Sequence, residues 1–423
     1  MLDIQLFRDN PDRVREGLAK RHQDTSVVNR VVELDQQRRN LIQQVESLRA
    51  EKNQASKDIS KTKDPDQRES RIAAMRDLGD KLDQLENELK ELEPQLDALL
   101  GTFPNLPDER VPIGADDSEN QVQKTVGELP EFDFEPQPHW DLGPALGILD
   151  FERGVKLSGT RFYVLNGAGA RLQRALISFM LDTLIKQGYQ ERYTPFMVKE
   201  EVVYASGQLP KFADNLYRDH EEDFWWVPTA EVPLTSLHKD EILEESDLPI
   251  SYTAYTPCFR REKISAGREV RGIKRGHQFD KVEMYVYCRP EDSEDQFQRM
   301  LADAERICQL LKLPYRVSNQ CTGDLGFAVA YTSDIEVWAA GCQEWLEVSS
   351  VSNTRDFQAR RAAIRYYPEE SKNTRFVHTL NGSALGLPRV LIAVLENNQR
   401  KDGSVLVPEV LLPWMGGIEI LEP

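Results

Sequence analysis

A three-and-four spacing of apolar residues across positions 27–100 limits the folds open to this chain more than any other feature. Leu34, Leu41, Val45, Leu48, Ala55 and Ile59 keep that spacing in one segment, and Met75, Leu78, Leu82, Leu85, Leu89, Leu92, Leu96 and Leu99 keep it in the next. Polar residues fill the gaps, so the pattern predicts two long amphipathic helices whose apolar seams need a partner. KTKDPDQ between them is short and holds a proline, so the second helix must fold back antiparallel on the first. At about 1.5 Å of rise per residue, roughly 30 residues per helix give a finger on the order of 45 Å long. Pro94 falls inside the second pattern and is expected to kink or loosen it near its base. Positions 27–63 carry eight basic and five acidic residues, and 64–100 carry five and eleven, so the first helix is the better one to touch phosphate.

The 423 residues leave room for two or three domains, and 40% hydrophobic with 29% charged residues suits a globular protein with a large core. No run of about 18 apolar residues occurs, and MLDIQLFRDN has neither a basic leader nor an apolar stretch, so a cytoplasmic protein is expected. Cys258, Cys288, Cys308, Cys321 and Cys342 form no CxxC pair and have no paired histidine spacing, which argues against a disulfide framework and a structural zinc site. A net charge of −18 disfavours nonspecific adhesion to nucleic acid, but it leaves specific binding open to a local basic face.

From 101 to about 159 the helical period is lost and Pro and Gly multiply, which reads as a linker. RLQRALISFMLDTLIKQG (171–188) then predicts an amphipathic helix with a glycine cap. Short β-like runs follow at FWWVPT, ISYTAYTPCF, VEMYVYC, YRVSN, IEVWAA and WLEVSS. Strands in succession with segregated helices predict an α+β domain built on an antiparallel sheet. The expected organisation is an N-terminal domain at 1–110 bearing the hairpin at about 27–100, a linker and entry at 111–170, and the α+β domain at 171–423. NGAGAR (166–171) has a GxG before a helix, but neither a full GxGxxG nor a GxxxxGK[ST] occurs, so the dinucleotide and P-loop modes are rejected.

FRREKISAGREVRGIKRGHQFDKVE (259–283) runs against the charge of the chain, with eight Lys or Arg against four Asp or Glu. Strand-like runs flank a loop whose Gly267, Gly272 and Gly276 give backbone freedom, which is the form of a phosphate clamp. Arg260, fixed at a strand end, is the residue best suited to hold phosphate, because the guanidinium fork matches its oxygens two at a time. Nearer the C-terminus, Asn381, Gly382 and Ser383 precede a helix carrying Arg389 near its start. In EWLEVSS, Glu347 and Ser350 offer a carboxylate and a hydroxyl to a hard cation.

These pieces together carry a resemblance. FRRE, the basic loop and HQFDKVE resemble motif 2 of the class II aminoacyl-tRNA synthetases; NGSALGLPRVLIAVLEN resembles motif 3; and GYQERYTPFMV, with Pro195, resembles motif 1. TAEVPLT, EVSSVSN and HTLNGS narrow the likeness to seryl-tRNA synthetases of the bacterial type, over essentially the whole chain, finger included. The resemblance implies that Thr229, Ala230 and Glu231 line a serine pocket, with Glu283, Asn381 and Ser383 also binding L-serine. It implies that Arg260 contacts the ATP α-phosphate and the substrate carboxylate, with Arg261 and Glu262 at the nucleotide, Gly276 along it and Phe279 stacked on adenine. Glu347, Val348, Ser349 and Ser350 match an ATP segment in which Glu347 and Ser350 hold Mg²⁺, and Arg389 matches an arginine that reaches the γ-phosphate. Arg260, Glu347 and Arg389 thereby become the catalytic candidates, and no zinc is expected.

The implied activity is conversion of L-serine and ATP to seryl-adenylate and pyrophosphate, then transfer of serine to the 3′ end of tRNA(Ser), and by the same resemblance of tRNA(Sec). The implied assembly is a cytoplasmic homodimer joined at motif 1 through Pro195. The finger would lie on the long variable arm of the tRNA, and the motif 2 loop would meet its 3′ end. Two places depart from the family pattern. Lys263-Ile264 open the motif 2 loop where a small residue and glycine are usual, and Leu385-Gly386-Leu387-Pro388 precede Arg389 where Gly, Ala and Val are commoner. One alternative is a synthetase-like paralogue that passes activated serine to a carrier protein or another acceptor; another is a binding module with a dead site. The finger weighs against the first, and joint presence of Arg260, Glu283, Glu347, Ser383 and Arg389 against the second.

Overall fold

Apolar residues at every third and fourth position do build two long helices. A computed structural model describes residues 1–263 and 270–423, which divide into two compact units, Leu2–Phe103 and Pro104–Pro423. In the first unit, short helices α1 (Ile4–Asp9) and α2 (Pro11–Lys20) precede α3 (Val27–Lys61) and α4 (Pro65–Gly101). Asp64 caps α4 by accepting from the amides of Asp66 and Gln67, and Pro65 takes the first helical position, where its missing N–H is not needed. The ion pairs Arg38–Glu93 (3.0 Å) and Arg49–Glu86 (2.7 Å) cross between the helices in antiparallel register, so part of the basic charge of α3 is met by acidic α4. Val45, Leu82 and Leu96 are buried in the seam. Helix α4 continues through Pro94, which removes one amide donor without ending the helix. Near the base, Phe7 meets Phe103 edge-on at 5.0 Å, and buried Asp35 accepts two hydrogen bonds from Arg8, which hold its carboxyl below the usual range.

The second unit is organised by one eight-stranded sheet. Its strands in chain order are β1 (Gln121–Val126), β2 (Gln190–Glu191), β3 (Ile250–Phe259), β4 (Gln278–Cys288), β5 (Tyr315–Asn319), β6 (Tyr331–Ala339), β7 (Glu344–Arg355) and β8 (His378–Gly386). Across the sheet they run β1-β5-β6-β7-β8-β4-β3-β2, antiparallel except for the β2–β3 pair. All six β-like runs of the sequence are strands, five in this sheet and Trp225–Trp226 in a small pair with Met197–Val198.

Two differences from the sequence reading matter. Positions 121–126, inside the segment expected as linker, form an edge strand; QVQKTV is polar and largely exposed, so no hydrophobic alternation betrays it. The run HTLNGSALG, whose Asn381, Gly382 and Ser383 are expected only to precede a helix, is central strand β8. It is buried on both faces, so alternation is absent there too.

Helices α5 (Gly167–Lys186), α6 (Glu231–Thr235), α7 (Ser293–Leu310) and α8 (Leu387–Asn397) complete the parts that shape the site. Gly188, just past α5, has φ +95°, which suits the expected glycine stop. Met300 of α7 packs against Gly382 of β8, where an added Cβ would lie 3.2 Å from its sulfur. Neighbouring Ser383 therefore points to the opposite face of the sheet, together with Glu283, its partner across β4. No helix among the described residues is long and apolar enough to cross a membrane.

Candidate active site

On that face lies a cavity of about 450 Å³. Thirteen of the residues singled out from the sequence line it: Thr229, Glu231, Arg260, Glu262, Gly276, Phe279, Glu283, Glu347, Val348, Ser350, Asn381, Ser383 and Arg389. They come from three strands, two helices, the turn before α6 and the arms of one loop, which is why no local stretch of sequence contains the site.

One end is acidic and deeply set. Thr229 is buried just before α6, and its hydroxyl accepts from the Glu231 amide at 3.2 Å and donates to Glu283 Oε2 at 3.1 Å. Glu283 is 1% exposed and forms an ion pair with Lys281, two residues away on the same face of β4. Gln358 donates to Glu231 Oε1 at 2.6 Å and Asn381 does so at 3.2 Å. Burial and then the neighbouring Glu283 push the Glu231 carboxyl up to about 7, opposed by Lys281. Two carboxylates against one lysine give this end a negative balance when both are ionised, which suits a small cationic group. Ala230 is fully buried and supports the turn into α6 rather than lining the cavity.

The other end is basic. Arg260 follows β3, with its backbone amide donating to the His277 carbonyl (2.9 Å) and Nε to Pro228 O (3.1 Å). Its guanidinium lies 5.0 Å from the centre of the Phe279 ring, so arginine and aromatic form one wall. Lys274 and Arg275 also line the cavity, and Arg275 Nη1 lies 3.4 Å from Glu262 Oε2. Arg261 is outside the lining, its guanidinium over the Tyr217 ring at 5.2 Å. Ile264 and Gly267 lie outside the described residues.

Glu347 and Ser350 illustrate how backbone irregularity makes a site. Residues three apart on a regular strand face opposite ways. Here Ser349 pairs with Ile335 and Glu347 with Glu336, so Val348 is the extra residue of a β-bulge. The bulge turns Glu347 and Ser350 to the same side, where the Ser350 hydroxyl donates to Glu347 Oε1 at 3.2 Å. Ser349 is buried and donates to the Ser383 carbonyl at 2.6 Å, tying β7 to β8. Asp334 sits across from Ser350, buried, with Oδ1 lacking a hydrogen-bond partner among the described residues. Burial and the Glu347 carboxylate raise its pKa well above the usual range. A carboxylate and a hydroxyl beside a buried, under-satisfied carboxyl are hard oxygen donors that fit Mg²⁺. Arg389, near the start of α8, donates to the Glu347 carbonyl at 2.6 Å.

Sequence reasoning misses Lys281, Lys274, Arg275 and Asp334. Strand alternation from Glu283 finds Lys281, whereas Asp334 emerges only from cross-strand register. Pro195 does not line the cavity and is exposed between Tyr193 (84% exposed) and Met197 (50%).

Comparison with known proteins agrees along the whole chain. Residues 1–107 match the seryl-tRNA synthetase N-terminal domain, and residues 212–398 match the tRNA synthetase class II core domain (G, H, P, S and T). The chain is 59% identical over 421 residues to a serine–tRNA ligase of Roseiflexus sp. (strain RS-1), covering 100% of this chain and 99% of the relative. A serine–tRNA ligase of Chloroflexus aurantiacus is 57% identical over 423 residues, with both chains fully covered. Among solved structures, the seryl-tRNA synthetase of Pyrococcus horikoshii complexed with ATP superposes with a TM-score of 0.94 at 37% identity, again over 100% of both chains. On this full-length identity and both domain matches, the chain belongs to the seryl-tRNA synthetase family of class II aminoacyl-tRNA synthetases.

Proposed function

We propose that the cavity activates L-serine with ATP and that the finger brings tRNA to it, making the protein a serine–tRNA ligase. The observation that carries this reading is the two-ended cavity. An acidic end built from Glu231, Glu283 and Lys281 suits an ammonium, a basic end with Arg260, Lys274, Arg275 and Arg389 suits a polyphosphate, and Arg260 is a shared wall. The serine ammonium meets the acidic end, and its hydroxyl finds donors and acceptors at Thr229, Asn381 and Ser383. A pocket built to hydrogen-bond a hydroxyl rejects an analogue lacking it by roughly 10⁴ to 10⁵.

The carboxylate of serine attacks the α-phosphorus of ATP, forming seryl-adenylate as the bond to pyrophosphate breaks. Arg260 orients that carboxylate and neutralises charge developing on the α-phosphate, Phe279 offers its free face to adenine, and Arg389 takes the far phosphates. Mg²⁺, held by Glu347 and Ser350 with Asp334 behind them, would supply charge neutralisation on the phosphate oxygens. The seryl group then passes to a ribose hydroxyl at the 3′ end of tRNA(Ser), and by the same likeness of tRNA(Sec), with release of AMP. The exposed apolar group around Pro195 suits a homodimer face, and a cytoplasmic setting fits both substrates. Serine-dependent exchange of pyrophosphate into ATP, with alanine and threonine as controls, tests activation. No exchange would overturn the reading, and exchange without charging of tRNA would favour the paralogue with another acceptor.

A further inference from the structure

His139 belongs to the segment that the sequence reads as linker, yet it is wholly buried beside the returning arm of the basic loop. Its Nε2 accepts the Ile273 amide at 3.1 Å, so Nδ1 carries the proton and donates to Glu396 Oε1 at 2.8 Å. Glu396 also accepts from the His139 amide (2.8 Å), the Cys342 amide (2.8 Å) and Cys342 Sγ (3.1 Å). His139, Cys342 and Glu396 thus gather within 4.8 Å of one another. Their side-chain donor atoms are engaged in hydrogen bonds, so the cluster is a joint rather than a metal chelate.

The joint requires Gly272, which has φ +72° and where a Cβ would lie 1.9 Å from His139 Nε2. Next to it, the Trp140 ring has the Arg271 guanidinium at 4.5 Å and the Lys274 ammonium at 5.4 Å from its centre. Lys274 Nζ donates to Glu344 at 2.7 Å, and the Lys274 carbonyl accepts from Arg389 at 3.4 Å. Arg389 and Glu396 are two turns apart on α8 and so share a face. The helix that brings Arg389 to the cavity therefore grips the arm twice, at Lys274 directly and at Ile273 through His139.

We propose that His139 is a positioning residue for the nucleotide end of the site. It fixes the Ile273 amide and so sets where Lys274, Arg275 and Gly276 line the cavity, while Trp140 steadies the same arm through its cations. The inference rests on the serine-activation reading. It is tested on the full-length protein by pyrophosphate exchange, with KM measured separately for ATP and for serine, in His139→Asn, His139→Gln and Trp140→Leu. Asparagine reaches the Nδ1 position and serves Glu396 only, whereas glutamine reaches the Nε2 position and accepts from Ile273.

His139→Asn should raise the KM for ATP about tenfold, the effect of stranding a buried amide, with the serine KM within about twofold. His139→Gln should stay within about threefold of the wild type for both substrates. Trp140→Leu, at a half-buried ring, should raise the ATP KM about two- to fivefold. A purely structural role predicts the opposite ranking of Asn and Gln, or equal losses for both substrates, and either result overturns the proposal. If the His139 variants do not fold, Trp140→Leu decides alone, and an unchanged ATP KM overturns it. A wild-type protein without exchange would instead overturn the serine-activation reading and this inference with it.

Discussion

Glu231 is where the chemistry of single residues is most testable. Its carboxyl is raised to about 7, so the ionised form that would meet an ammonium is lost as pH falls through neutrality. Serine binding should weaken about tenfold between pH 8 and pH 6, and Glu231→Gln should bind weakly at both with the pH dependence gone. Serine KM in the exchange assay across that range checks it. Arg260→Ala should lower exchange by at least about a hundredfold, while circular dichroism remains unchanged, since the backbone bond from residue 260 to His277 survives. Residues of this kind are legible in the sequence because FRRE, TAE and HQFDKVE put characteristic chemistry in contiguous runs. Asp334 is not, because nothing near it in the chain says that it will stand opposite Ser350.

At the scale of elements, legibility follows periodicity. The finger helices, α5 and five strands of the sheet announce themselves through a period of 3.5 or through runs of β-branched and aromatic residues. Strands β1 and β8 do not, one being exposed and polar and the other buried on both faces. The bulge at Val348 is equally silent in sequence, although it is what makes Glu347 and Ser350 a pair. Gly382 in β8 tests this level, because a Cβ there would meet Val351 at 3.0 Å and Met300 at 3.2 Å. Gly382→Val should cost about 1–3 kcal/mol or more by overpacking, read as a lower Tm, and should raise the serine KM by displacing Ser383. In the finger, Leu82→Ala should remove about 2–5 kcal/mol from the helix pair, loosening it and slowing tRNA charging while pyrophosphate exchange is untouched.

The whole molecule divides its work between units of different physics. Leu2–Phe103 is dominated by a long helical pair, and Pro104–Pro423 holds a large core under a charged cavity. The net charge of −18 fits this division, since phosphate recognition is left to local basic groups rather than to the bulk of the surface. The most direct test of the division is to replace positions 27–100 by a short flexible linker and to measure serine-dependent pyrophosphate exchange and tRNA serylation side by side with the full-length protein. The account predicts that exchange persists and serylation is lost. Loss of exchange, or serylation that survives without the finger, would contradict it.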